Sequence, residues 1–196
     1  MFLVAITANG GYDAFNTLMV DTFEKIWQSM SEKRSLPKGL NARSFAVQLA
    51  WMMPPLMSAC AVLFYVSNLW LAARVAQTSD LLGGRAWPDI PRHMRVPRFV
   101  AVVLAVSLGL SFTSGLLGMV SRVVSAALMS ALALQGLAVM HALTRGKSYR
   151  TPLLVLVYLS LAVLMPWPLI FWGALGLLDT AFSFRDRQRP AVIRKP

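Results

Sequence analysis

Four polar side chains stand inside otherwise apolar stretches of this sequence. They are Asn68 in "FYVSNLWLAA", Gln135 in "ALALQGLAVM", His141 six residues later, and Asp179 closing "GALGLLD". Each type has a chemistry to offer. A carboxylate can contact an ion, a proton or a substrate, an imidazole can relay protons, and an amide can hold a ligand or a neighbouring helix. Each also has a structural role to weigh first. Asp179 is expected near a membrane interface, paired with Arg74, Arg145 or Arg185. Gln135 is expected to glue one helix to another, and His141 to cap or pair at the end of its helix. Together they make no nucleophile–base pair and no ligand shell, so no catalytic residue is assigned and an enzyme is not expected. His93 and His141 are distant in sequence and lack carboxylate company. The chain has no CxxC, HExxH, GxSxG or phosphate-binding loop motif. No metal and no cofactor is therefore expected. Cys60, the single cysteine, reads as a small packing residue between Ala59 and Ala61.

The elements that must position these residues follow from where charge is missing. No Lys, Arg, Asp or Glu occurs at 44–73, 99–121, 123–144 or 151–178. Each run exceeds the roughly 20 apolar residues that cross a bilayer as a helix. A soluble domain would interrupt its apolar stripe with charges every few residues, and a transmembrane β-barrel would alternate in polarity over shorter segments. The expected fold is an all-α, polytopic transmembrane helix bundle of about five spans. Those spans are placed at about 45–73, 99–120, 123–144, 152–165 and 168–184, within a bundle of residues 44–185. A basic cytoplasmic tail of residues 186–196 follows.

Residues 1–43 read differently. "MFLVAITA" resembles the last turns of a helix whose beginning lies upstream, and "NGGYD" ends it. From Phe15 the apolar positions Leu18, Met19, Phe23, Ile26, Trp27 and Met30 recur at helical spacing opposite Asp21, Glu24, Lys25 and Glu32. This predicts an amphipathic helix with Asp13 as N-cap, lying at the membrane interface or on the bundle. Further on, Pro54-Pro55 either kinks the first span or opens it. Ser107, Ser111 and Gly115 give the second span a face for close packing, and Ser121-Arg122 is expected to be the tight turn into the third.

Residues 152–179 pose a choice between one helix and two. As one helix they would run about 42 Å, well beyond a hydrocarbon core of about 30 Å. Proline lacks the backbone donor and restricts the residue before it. Pro166-Trp167-Pro168 is therefore expected to be a turn at the outer face, making a C-terminal helical hairpin. Loop 74–98, loop 145–150 and the stretch from Arg185 onward then share one side and carry thirteen of the 19 basic residues. The preference of Lys and Arg for the cytoplasmic side accounts for the net charge of +11. The cations lie in short loops beside apolar runs and not on a soluble face with stacking aromatics, so no nucleic-acid partner is expected.

The blocks "NLWLAARVAQTSDLL", "WPDI", "QGLAVMHALTRG" and "GLLDTAFSFRDR" resemble the YybS-like family of uncharacterised bacterial multi-pass membrane proteins. The likeness covers about Phe15 to Arg187, and members of that family look longer at the N-terminus, with further spans upstream. The resemblance implies a bacterial inner-membrane protein with no established reaction. It also carries an architectural analogy to the substrate-capturing membrane subunits of vitamin importers, and analogy of fold does not carry function. The expected role is that of a transporter-like or small-molecule-binding membrane protein. Its partners would be the lipid bilayer, a small-molecule substrate and other membrane subunits. The alternative is a scaffold for envelope or division machinery. A polar-lined pocket touching Gln135 or Asp179 favours the first, and solid packing there favours the second.

Overall fold

A computed structural model describes residues 10–33, 41–81, 90–164 and 167–183. Among these residues all regular structure is helical: α1 Tyr12–Lys33, α2 Ala42–Thr78, α3 Ile90–His93, α4 Phe99–Leu110, α5 Gly115–Leu143, α6 Arg150–Leu164 and α7 Trp167–Phe182. By length and composition α2 and α5 are long and apolar enough to cross a membrane, while α4, α6 and α7 are shorter apolar helices. The opening "MFLVAITA" and the basic tail lie outside the described residues. The chain divides into two compact units, one of residues 1–58 and 106–126, the other of 59–105 and 127–196.

In the first unit α1 lies antiparallel to the start of α2. The Trp27 and Phe45 ring centroids lie 4.3 Å apart with the planes tilted 47°, and Arg43 reaches Asp21 and Glu24 at 3.1 and 2.9 Å. Val20 is buried with Ala46 and Ala50, where alanines let the two backbones approach. Phe15 is buried with Met119. The buried stripe is therefore narrower than the apolar face read from the sequence, and Leu18, Ile26 and Met30 stay exposed. One partner helix covers only part of a wide apolar arc. The helix starts at Tyr12, which puts Asp13 in its first turn instead of at the cap. There it still faces the positive end of the helix dipole.

Pro54 and Pro55 are interior to α2, which runs 37 residues without a break. It is longer than the span expected at 45–73, and at the usual rise it measures about 55 Å. Pro54 is among the most deeply buried side chains, and Ser58 Oγ donates to the Val123 carbonyl at 3.0 Å. Cys60 is exposed and is not the packing residue that its alanine neighbours suggested.

The largest departure from the sequence expectation is the break between the second and third helices. Ser121 and Arg122 are helical, and the chain turns instead at residues 111–114. The spans expected at 99–120 and 123–144 become a 12-residue α4 and a 29-residue α5. Ser111 and Thr113 hydroxyls donate to the Leu108 and Leu110 carbonyls at 2.6 and 2.7 Å. Local bonds of this kind compete with continued helix. Gly115 then opens α5 at φ +73°, a conformation glycine adopts without strain. Arg122 does not mark the turn; it folds back on it. Its Nη1 donates to the Ser111 carbonyl at 3.1 Å and its guanidinium lies 5.1 Å from the Trp51 ring centroid. A cation at the carbonyl end of a helix is favourable. Arg122→Leu should lower stability by about 1–2 kcal/mol through loss of this charged hydrogen bond and ring contact. Thermal unfolding in detergent reads it, and an unchanged midpoint would show that the cap contributes nothing.

The second unit is built on the C-terminal half of α5. Along it, Met129 meets Gly173, Leu132 meets Gly176, and Gln135 meets Asp179, each pair 44 residues apart. Contacts that advance together along both helices, from Met129–Gly173 to Gln135–Asp179, mean that α5 and α7 run parallel, and they cross closely where Gly136 meets Trp172 and Gly176. The short connections at either end of α6 make α6 the return stroke, antiparallel to both. Ala133, Val157 and Trp172 form the buried core of the three, with Leu161 and Leu169 against it. Ser183, at φ +50°, ends α7 with its N–H on the Asp179 carbonyl at 2.8 Å, a left-handed helix stop.

Candidate functional site

Two faces of α5 carry the polar residues singled out in the sequence. One face, with Leu132, Gln135, Gly136 and Val139, is turned to α7. Gln135 and Asp179 are 1% and 4% exposed, and burial at that level leaves the amide dependent on protein partners. Gln135 Nε2 donates to Asp179 Oδ2 at 3.0 Å, to the Gly176 carbonyl at 3.1 Å and to Thr180 Oγ1 at 3.1 Å. Its Oε1 accepts the Val96 N–H at 2.6 Å. The amide thus ties α5, α7 and the segment entering α4 together. Glycines make the approach possible. A Cβ on Gly136 would run into the Trp172 carbonyl oxygen, and one on Gly176 into that of Leu132.

The other face of α5 is Leu134, Leu137, Ala138 and His141, spaced three and four apart. It lines a cavity of about 1020 Å³. From α2 come Val66, Ser67, Leu69, Trp70 and Leu71; α3 contributes Ile90 and His93, and α6 contributes Tyr158. His141 Nε2 and the Tyr158 hydroxyl are 2.9 Å apart, with the rings tilted at 6.0 Å between centroids. Which atom donates depends on the imidazole tautomer. No Asp or Glu is among the described residues that line the cavity.

The structure therefore separates the sequence candidates. Gln135 and Asp179 meet each other and not the cavity. Asp179 takes a hydrogen bond from Gln135. His141 does line the cavity. Asn68 is exposed on α2 and is not part of the lining. Sequence reasoning missed Tyr158, whose phenol is a polar handle within the apolar run 151–178, and it set His93 aside for its distance from His141. Both face the same cavity. No group of three or more His, Cys, Asp or Glu placed to hold a metal occurs among the described residues.

Two long apolar helices, glycine-permitted parallel packing and a buried amide–carboxylate contact are consistent with an α-helical membrane protein. The chain belongs to the family described as Predicted membrane protein (DUF2232), whose model matches residues 2–180. No curated protein and no solved structure matches it.

Proposed function

We propose that this membrane protein binds a small molecule in the cavity between α2, α5 and α6, as a transporter-like or substrate-capturing component of a bacterial inner membrane. The pocket does not touch Gln135 or Asp179, as the sequence criterion asked, and those two are packed on each other; the observation that carries this reading is instead the cavity on the other face of α5. Its volume is at the upper end of the range for small-molecule sites, and an apolar wall with a few convergent polar groups is what such sites share. Retention of a small molecule by the purified protein in native mass spectrometry is the test. The molecule should be lost from Ala138→Trp, which fills the cavity wall. A wild-type spectrum showing bare protein only, under conditions that keep lipid adducts, would count against the proposal.

The proposed topology has five crossings with the C-terminus in the cytoplasm. It is supported by the parallel course of α5 and α7. Their C-terminal ends lead into the basic stretches 145–150 and 185–195, which parallel helices deliver to one side, as the distribution of Lys and Arg in membrane proteins favours. The hairpin turn then lies at the opposite face, with Trp167, 74% exposed, at headgroup depth, where Trp is enriched. In a Cys60→Ser background, cysteines at Ser148 and after Arg189 should both be labelled from the cytoplasm only. Labelling from opposite sides would overturn this topology.

A further inference from the structure

We propose that the cavity selects a membrane-borne amphiphile with an apolar body and a single acidic head. The inference rests on the small-molecule reading above. The polar groups on the lining are Ser67, His93, His141 and Tyr158, and the remaining described lining is apolar. An apolar body is required to cover Leu69, Trp70, Leu134 and Leu137, since such surface gains nothing from a hydrated guest. The head is read from what the polar groups can give. The His141–Tyr158 pair keeps one N–H or O–H beyond the hydrogen it shares, Ser67 adds a hydroxyl, and no Asp or Glu is among the described lining residues. Hydrogen bonds to an ionised acceptor are about twice as strong as neutral ones, which favours an anion over an alcohol; these neutral groups also accept, so the choice against an ammonium rests on the cations that follow His141.

Position agrees with this chemistry. His141 lies three residues before Thr144, after which Arg145, Lys147 and Arg150 follow. The acidic head is thereby set at the basic end of α5 and the apolar body along its length. The source is the bilayer. Leu69, Trp70 and Leu71 line the cavity and are still 68%, 51% and 55% exposed, so the α2 wall is open to its surroundings. The proposal places this open apolar wall against lipid.

The experiment is a competition in native mass spectrometry on the full chain, with equimolar oleic acid, oleyl alcohol and oleylamine. These probes share one apolar body and differ in the head. Oleic acid should give at least tenfold more adduct than either competitor, and Tyr158→Phe combined with His141→Ala should bring the three close to parity. Acetate at millimolar concentration should not displace oleic acid, which would confirm that the ligand is an amphiphile and not a free anion. Equal adducts of all three in the wild type would overturn the acidic head and leave the cavity reading standing. Displacement by acetate would overturn the membrane-borne body. Absence of all probe adducts overturns this inference. The cavity reading is then judged separately, by the molecule the protein retains on purification.

Discussion

Replacing Gly136 with Leu should prevent α5 and α7 from packing and leave little folded protein after extraction in mild detergent. The contact permits no Cβ on either side. A methyl on Gly136 would run into the Trp172 carbonyl oxygen, and one on Gly176 would also stand 3.1 Å from the Gly136 nitrogen. These obstacles are backbone atoms, which cannot swing away as a side chain tip can. Overpacking a core commonly costs about 1–3 kcal/mol, and a branched side chain against two backbones belongs at or beyond the top of that range. Gly176→Ala should show the same effect in milder form. Gly109, with nothing within 4 Å of its absent Cβ, is the control. Gly109→Ala should unfold no earlier than wild type, since alanine is the better helix former. Size-exclusion profiles and thermal midpoints decide this, and a normally folded Gly136→Leu would mean that the α5–α7 contact is misplaced.

The second large effect is at Gln135. Gln135→Leu nearly preserves volume and removes a donor shared by three acceptors and an acceptor for Val96. Interhelical hydrogen bonds in membranes average about 0.6 kcal/mol and reach about 1.7. An amide with partners on two other segments, one of them a carboxylate, should cost about 2 kcal/mol when lost. Asp179→Asn keeps an oxygen acceptor and should cost less than Gln135→Leu. In a double-mutant cycle, Gln135→Leu and Asp179→Leu should couple by about 1 kcal/mol, as residues in one network do. Strictly additive losses would mean that the two side chains act independently.

Helical class was legible in this sequence because charge-free runs leave few alternatives. The sequence places a turn at Ser121-Arg122 because a lone arginine between two apolar runs reads as a loop residue. It is the one charged side chain between Phe99 and Thr144, and it serves as the cap of the preceding helix while remaining helical itself. Gln135 and Asp179 stood out individually as polar residues in apolar surroundings. Their pairing was hidden, since a separation of 44 residues has no meaning until the parallel register of α5 and α7 is known. The cavity was the least legible feature. Its wall on α5 is the half-buried face of a helix whose other face is fully buried, and periodicity alone does not distinguish a face packed on protein from one beside a void. Tyr158 and His93 gain their role only through what α6 and α3 bring to that face.

Small-molecule binding requires an occupied cavity beside Trp70, His141 and Tyr158. An experimental density map of the purified full chain in a phosphatidylcholine nanodisc tests this directly. The expected result is elongated density along Leu134 and Leu137, with one end within hydrogen-bond reach of the Tyr158 hydroxyl or His141. A map in which α2 closes onto α5 and its side chains fill the space would contradict it, and would turn the interpretation toward a packed scaffold.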